Sequence, residues 1–143
     1  MIKIHEMIQL IKSAHDGQMY GDRPYWTHPR AVMDFLGAAP DEVKIAALGH
    51  DLFEDTTVTV ADLKTKGVPY RSIWLIRQLA RRADETYKEY IERLIATSDR
   101  DVLVIKRADL MVNLNGCTER QRRRYELALA KISMALADLE LSI

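Results

Sequence analysis

Histidine is scarce in this chain, with four among 143 residues, and two of them keep unusual company. His50-Asp51 is followed at once by Leu52-Phe53-Glu54-Asp55. On a helix, His50 and Glu54 would share one row and Asp51 and Asp55 the next, because residues four apart stack. The rows stand about 100° apart by the 3.6-residue period, so one wedge would present an imidazole and three carboxylates. Like charges crowded in this way repel, and a cation is the simplest compensation. The flanks, Ile45-Ala46-Ala47-Leu48 and Leu52-Phe53, have core character, where an unpartnered carboxylate is costly. Downstream, Asp109 interrupts an apolar run from Val102 to Leu114, with Asn113 one turn later and Lys106 three residues before it. The Lys106 ammonium could address a phosphate or pair with a carboxylate. His28 opens a helix after an aromatic loop. Two imidazoles and two carboxylates form a mixed nitrogen and oxygen set, which suits manganese, iron or zinc better than calcium. Each residue alone also has a structural reading: a histidine can cap a helix, and an aspartate can sit in an ion pair. The combination is what points to a metal.

These residues must be held by helices, since the apolar spacing is helical almost throughout. Ile4, Met7, Ile8, Ile11 and Ala14 predict a first helix that ends near Gly17. A loop of turn residues and aromatics follows to Thr27, which is expected to cap a second helix with Pro29 in its first turn. Pro40-Asp41-Glu42 opens a third, with Val43, Ala46, Ala47 and His50 on one face. Thr59 and Pro69 begin two more. Thr86 to Ala96, Asp99 to Leu114 and Glu119 to Leu141 complete a count of about eight. Val102-Leu103-Val104-Ile105 resembles a strand but leads into a periodic segment, so it is assigned to a buried helix. The expected class is all-α, in a single domain over residues 1–143.

Composition agrees with a globular chain: 48% of residues are hydrophobic and 29% charged. Twenty-one basic residues balance twenty-one acidic ones, which argues against a nucleic-acid polymer as partner. No apolar run reaches the roughly 18 residues of a membrane span. The first residues are broken by Glu6 and Lys12, unlike a signal peptide. Cys117 is a lone cysteine and cannot form an internal disulfide. A cytoplasmic protein is expected. His5 and His15 are expected to face solvent or cap the first helix, and Trp74 to lie in the core.

His28, His50-Asp51 and Asp109, in this order, resemble the H…HD…D signature of the HD phosphohydrolase superfamily. The segments Ala14-His15-Asp16-Gly17-Gln18, Pro24-Tyr25-Trp26-Thr27-His28-Pro29 and Leu48 to Thr56 are more specific. With Glu85 to Ile91 and Lys106 to Leu114, they resemble the hydrolase domain of RelA/SpoT-type alarmone enzymes, above all the small stand-alone hydrolases. The resemblance covers roughly residues 5 to 115, the motif core, before a C-terminal helix at 119–141. It implies an HD-domain helical bundle with one divalent ion per chain, usually manganese, held by His28, His50, Asp51 and Asp109. Glu54 and Asp55 match the catalytic acidic pair, and Asn113 the substrate-contacting asparagine. The implied reaction removes the 3′-pyrophosphate of guanosine tetra- or pentaphosphate.

The sequence departs from this pattern between Gln18 and Pro24, where the usual Arg-Lys that contacts base and phosphates is missing. Tyr20 could stack on a base and Arg23 could meet a phosphate there, and Tyr25 stands beside them as a further candidate contact. Leu110 replaces the usual Arg after the metal aspartate. Two other readings therefore stay open: an HD phosphohydrolase of another nucleotide or phosphorylated cofactor, and a catalytically silent domain that binds a nucleotide or protein.

Overall fold

The computed structural model describes residues 1–142, which fold as two compact units, Met1–Ala80 and a second that begins at Arg81. The first unit holds α1 (Ile4–Ala14), a hairpin of β1 (Met19–Tyr20) and β2 (Arg23–Pro24), α2 (Thr27–Phe35), α3 (Asp41–Leu48), α4 (Leu52–Asp55), α5 (Val60–Thr65) and α6 (Tyr70–Leu79). The second holds α7 (Tyr87–Ala96), α8 (Arg100–Leu114) and α9 (Glu119–Leu141). Among the described residues, eight helices have six residues or more and α4 is a single turn. None is long and apolar enough to cross a membrane.

Local chemistry accounts for many of the helix ends. Thr59, Thr86 and Thr118 each accept a hydrogen bond from the backbone N–H three residues on, while Asp62, Glu89 and Gln121 reach back to the cap N–H. Thr27 does otherwise. Its hydroxyl donates to the Pro24 carbonyl, and Trp26 takes the N-cap position of α2. The segment expected as plain loop contains the two-residue ladder, which pairs Met19 with Pro24 and Tyr20 with Arg23. Gly21 closes it at φ +61°, a conformation natural to glycine.

One expectation about the central motif is overturned. The helix carrying Ile45 to Leu48 does not continue through His50 to Asp55: α3 ends at Leu48, and Gly49, His50 and Asp51 form a turn before α4. Gly49 is packed so closely that a Cβ there would lie 2.7 Å from Ile76 Cδ1 and 2.9 Å from Met7 Cε. Those side chains come from α6 and α1 and are fully buried. Trp74 also departs from expectation, being 39% exposed with the Arg71 guanidinium over its ring.

In the second unit, α9 buries Ala128, Ile132 and Leu136, one row at four-residue spacing, and α8 contributes Leu103, Ile105 and Leu110 to the core. Before α7, Glu85 receives two hydrogen bonds from Arg93, at 2.7 and 3.0 Å. That guanidinium contact is the main reason its carboxyl is lowered to about 2.

Gly49→Ala should overpack this junction. A loss of about 1–3 kcal/mol in stability is expected by denaturant titration, because neither neighbouring side chain can swing into solvent. An unchanged midpoint would show that the close approach is not a constraint.

Candidate metal centre

Three pieces of the first unit supply the candidate ligands. His28 is the second residue of α2, and its N–H donates to the Tyr25 carbonyl at 2.9 Å. His50 lies in the turn after α3, and Asp51 is the N-cap residue of α4. One donor atom from each of His28, His50 and Asp51 lies within 4.8 Å of the other two. Both imidazoles are buried.

Hydrogen bonding fixes the chemistry of His50. Its Nδ1 is 2.7 Å from the Ala47 carbonyl oxygen. A carbonyl can only accept, so Nδ1 carries the proton. In the neutral ring, Nε2 is then a lone-pair donor, and it lies 3.0 Å from Asp51 Oδ2. Two lone pairs at that separation repel unless a proton or a cation stands between them. The buried pair of imidazoles and the carboxylate therefore fit a divalent cation, with the Ala47 carbonyl orienting one ligand from behind. Tyr25 does the same for another, since its hydroxyl donates to Asp51 Oδ2 at 2.6 Å. His28 is held by ring packing: Tyr20 stacks on it at 4.5 Å and His50 meets it edge-on at 5.5 Å.

Glu54 and Asp55 end α4 and are both solvent-exposed as residues. The Asp55 carboxyl is nevertheless raised from its ordinary value, first by the protein packed on one side of it and then by the charge of Asp51. His15, His50 and a hydrogen bond from Tyr25 oppose that rise.

In the second unit, Asp109 is buried on α8, and both its oxygens are engaged from its own helix. Lys106 Nζ donates to Oδ2 at 2.9 Å and Asn113 Nδ2 to Oδ1 at 3.3 Å. Burial, the largest single influence, favours the neutral amine of Lys106, but the charge and hydrogen bond of Asp109 together with Tyr90 and Tyr87 outweigh it, and the ammonium is held well above its ordinary value. Of the two roles open to Lys106 in the sequence, this is the carboxylate partner.

Comparison with known proteins adds an independent line. No family model matches the chain. It is 32% identical over 142 residues to the guanosine-3′,5′-bis(diphosphate) 3′-pyrophosphohydrolase of Haemophilus influenzae, across 90% of this chain. The chain spans 21% of that relative's length. A solved structure, described as a metazoan orthologue of SpoT that hydrolyses ppGpp and plays a role in starvation responses, overlays with a TM-score of 0.77. The identity there is 25%, over 96% of this chain and 89% of that one. The chain resembles RelA/SpoT-type hydrolases in sequence and in fold. The architecture is the all-α HD-domain type.

Among the remaining candidates of this RelA/SpoT-like chain, Tyr20 has one ring face against His28, Tyr25 has its hydroxyl on Asp51, and Arg23 is exposed on β2. Sequence reasoning missed two participants. His15 does close α1, but it is 2% exposed, with its ring 4.9 Å from that of Tyr25. Gln18 reaches the Asp55 carbonyl at 2.8 Å. Their one signal in the sequence was a histidine and a glutamine inside a matched motif.

Tyr25→Phe deletes the hydroxyl on Asp51 and keeps the ring. Manganese or cobalt affinity should fall about 10- to 100-fold by calorimetric titration, the usual effect of losing a group that orients a ligand. Unaltered affinity would mean that the hydroxyl does not orient Asp51 for a metal.

Proposed function

We propose that this protein is a metal-dependent phosphohydrolase that removes the 3′-pyrophosphate of guanosine tetra- or pentaphosphate, with manganese as the metal. The observation that carries the reading is the cluster of buried His28 and His50 with half-buried Asp51, followed about one turn later by Glu54 and Asp55. The 3′-pyrophosphohydrolase activity of the Haemophilus relative and the ppGpp hydrolysis of the metazoan SpoT orthologue support the choice of substrate.

In this reading Asp109 is the fourth ligand, as the resemblance implies. An ionised carboxylate has about four lone-pair directions, so the contacts from Lys106 and Asn113 leave room for a metal bond. A divalent ion held there would lower the pKa of bound water and neutralise charge on the attacked phosphoryl oxygens. Glu54, open to solvent, takes the proton of the attacking water. Asp55 supports it through the neighbouring carboxyl. Lys106 keeps Asp109 ionised and oriented, and Asn113 holds the other carboxylate oxygen while facing substrate. Tyr20, Arg23 and Tyr25 form the wall toward the base and phosphates.

A second substrate, another nucleotide or phosphorylated cofactor, is favoured by one observation. The Gln18–Pro24 segment folds as a short hairpin with Arg23 exposed and no Arg-Lys pair.

The test is a product assay with manganese on guanosine tetraphosphate, its adenosine analogue, NADPH and simple nucleotides. Pyrophosphate release from the guanosine compound is the expected result. Hydrolysis of a different member alone would reassign the substrate, and silence on all by metal-loaded protein would contradict the enzyme reading. Glu54→Gln should keep its metal and lose about 10²–10⁴-fold in turnover, the range of a general acid–base group. Asp109→Ala should lose metal by elemental analysis, and unchanged content would remove it from the ligand set.

A further inference from the structure

His15 and Gln18 have no place in the chemistry above, yet they form a directed chain that ends on the acidic pair. His15 Nδ1 lies 2.9 Å from Gln18 Oε1, and Gln18 Nε2 lies 2.8 Å from the Asp55 carbonyl oxygen. The last contact fixes the direction of both. A carbonyl only accepts, so the amide nitrogen of Gln18 must face Asp55 and its oxygen must face His15. Nδ1 of His15 therefore carries a proton and donates it. Its Nε2 is buried and has no hydrogen-bond partner among the described residues, so the Nδ1 bond is the one polar contact of that side chain.

The receiving end is the weak point of the first unit. With four residues, α4 is far below the length at which a helix sustains itself, and its last carbonyls have no partner further along the helix. Its local restraints include three backbone bonds, Leu52 to Gly49 and Asp55 to Asp51 at 3.0 Å and Thr56 to Leu52 at 3.1 Å, with the Thr56 hydroxyl on the Leu52 carbonyl. The Gln18 amide adds a tether from 37 residues away. Gln18 is itself fixed on its backbone, donating to the His15 carbonyl at 3.0 Å and accepting from Tyr25 N–H at 2.8 Å. The His15 ring also packs on Tyr25, whose hydroxyl holds Asp51.

We propose that His15 and Gln18 are positioning residues, a strut in which buried His15 orients half-buried Gln18 and Gln18 pins the Asp55 carbonyl, keeping the Glu54–Asp55 turn in register with His50 and Asp51. The strut itself follows from the hydrogen bonds, while its effect on turnover rests on the hydrolase reading. The experiment therefore has two arms.

The first reads backbone amide exchange by NMR in three variants. Gln18→Leu removes the tether and should speed exchange at residues 55 and 56 about three- to tenfold, the effect of one net hydrogen bond, with α6 and α8 unchanged. His15→Asn keeps a donor where Nδ1 stood and should stay near the native pattern. His15→Gln places its donor at the far end and should behave like Gln18→Leu. Unchanged exchange in Gln18→Leu, or equal damage from His15→Asn and His15→Gln, would overturn the strut and leave His15 as a space-filling side chain.

The second arm reads turnover on whichever compound the native protein hydrolyses. Gln18→Leu and His15→Gln should lower kcat with KM and metal content kept, and His15→Asn should restore it. A native protein inactive on every compound would count against the hydrolase reading, and the exchange pattern would still decide the strut. Full kcat in a Gln18→Leu protein whose turn exchanges faster would overturn the catalytic role of the strut.

Discussion

Electron-pair donors gathered in a buried space repel one another, and the first unit is arranged around that fact. His50 cannot turn its protonated nitrogen toward Asp51, because the Ala47 carbonyl holds it at 2.7 Å on the other side. What faces the carboxylate is a lone pair, 3.0 Å away. The alternative to a cation is a proton, which would make His50 an imidazolium paired with Asp51. A charged hydrogen bond of that kind is a stable structural element in many proteins. It does not explain the second buried imidazole edge-on to the first, nor the acidic pair one turn beyond. A divalent cation accounts for all of these together.

The supporting frame follows from the same demand. On a continuous helix the adjacent His50 and Asp51 would project about 100° apart, which disfavours their meeting at one point. Breaking the helix at Gly49 turns His50 and Asp51 toward His28, and the break is made possible by a residue with no side chain against Met7 and Ile76. The α4 turn that results is too short to be stable alone, so Tyr25 holds its first end through Asp51 and Gln18 its last through Asp55. In the second unit Lys106 and Asn113 perform the equivalent service for Asp109 from within one helix.

What the sequence disclosed and what it hid divide by distance along the chain. The helix starts at Thr59 and Thr86 and the limits of α9 were legible because the contacts that set them are three or four residues apart. The apolar run Val102 to Ile105 is helical in α8, as its periodic continuation required. The break at Gly49 was hidden because α1 and α6 impose it, although a glycine inside a helical pattern is itself a signal. Tyr25 on Asp51 and Gln18 on Asp55 join residues 26 and 37 positions apart, beyond any periodicity. Residue types named the candidate ligands of the first unit, and only the fold revealed what orients them. The Lys106–Asp109 pair lay within reach of the sequence, since three residues on a helix bring side chains together.

The cluster of His28, His50 and Asp51 is a candidate metal site. Anomalous diffraction from manganese-soaked crystals, recorded on both sides of the metal edge, tests it without reference to any substrate. One strong peak at bonding distance from both imidazoles and the Asp51 carboxylate is expected. A peak confined to surface carboxylates, or an imidazolium ion pair with no metal between His50 and Asp51, would contradict it.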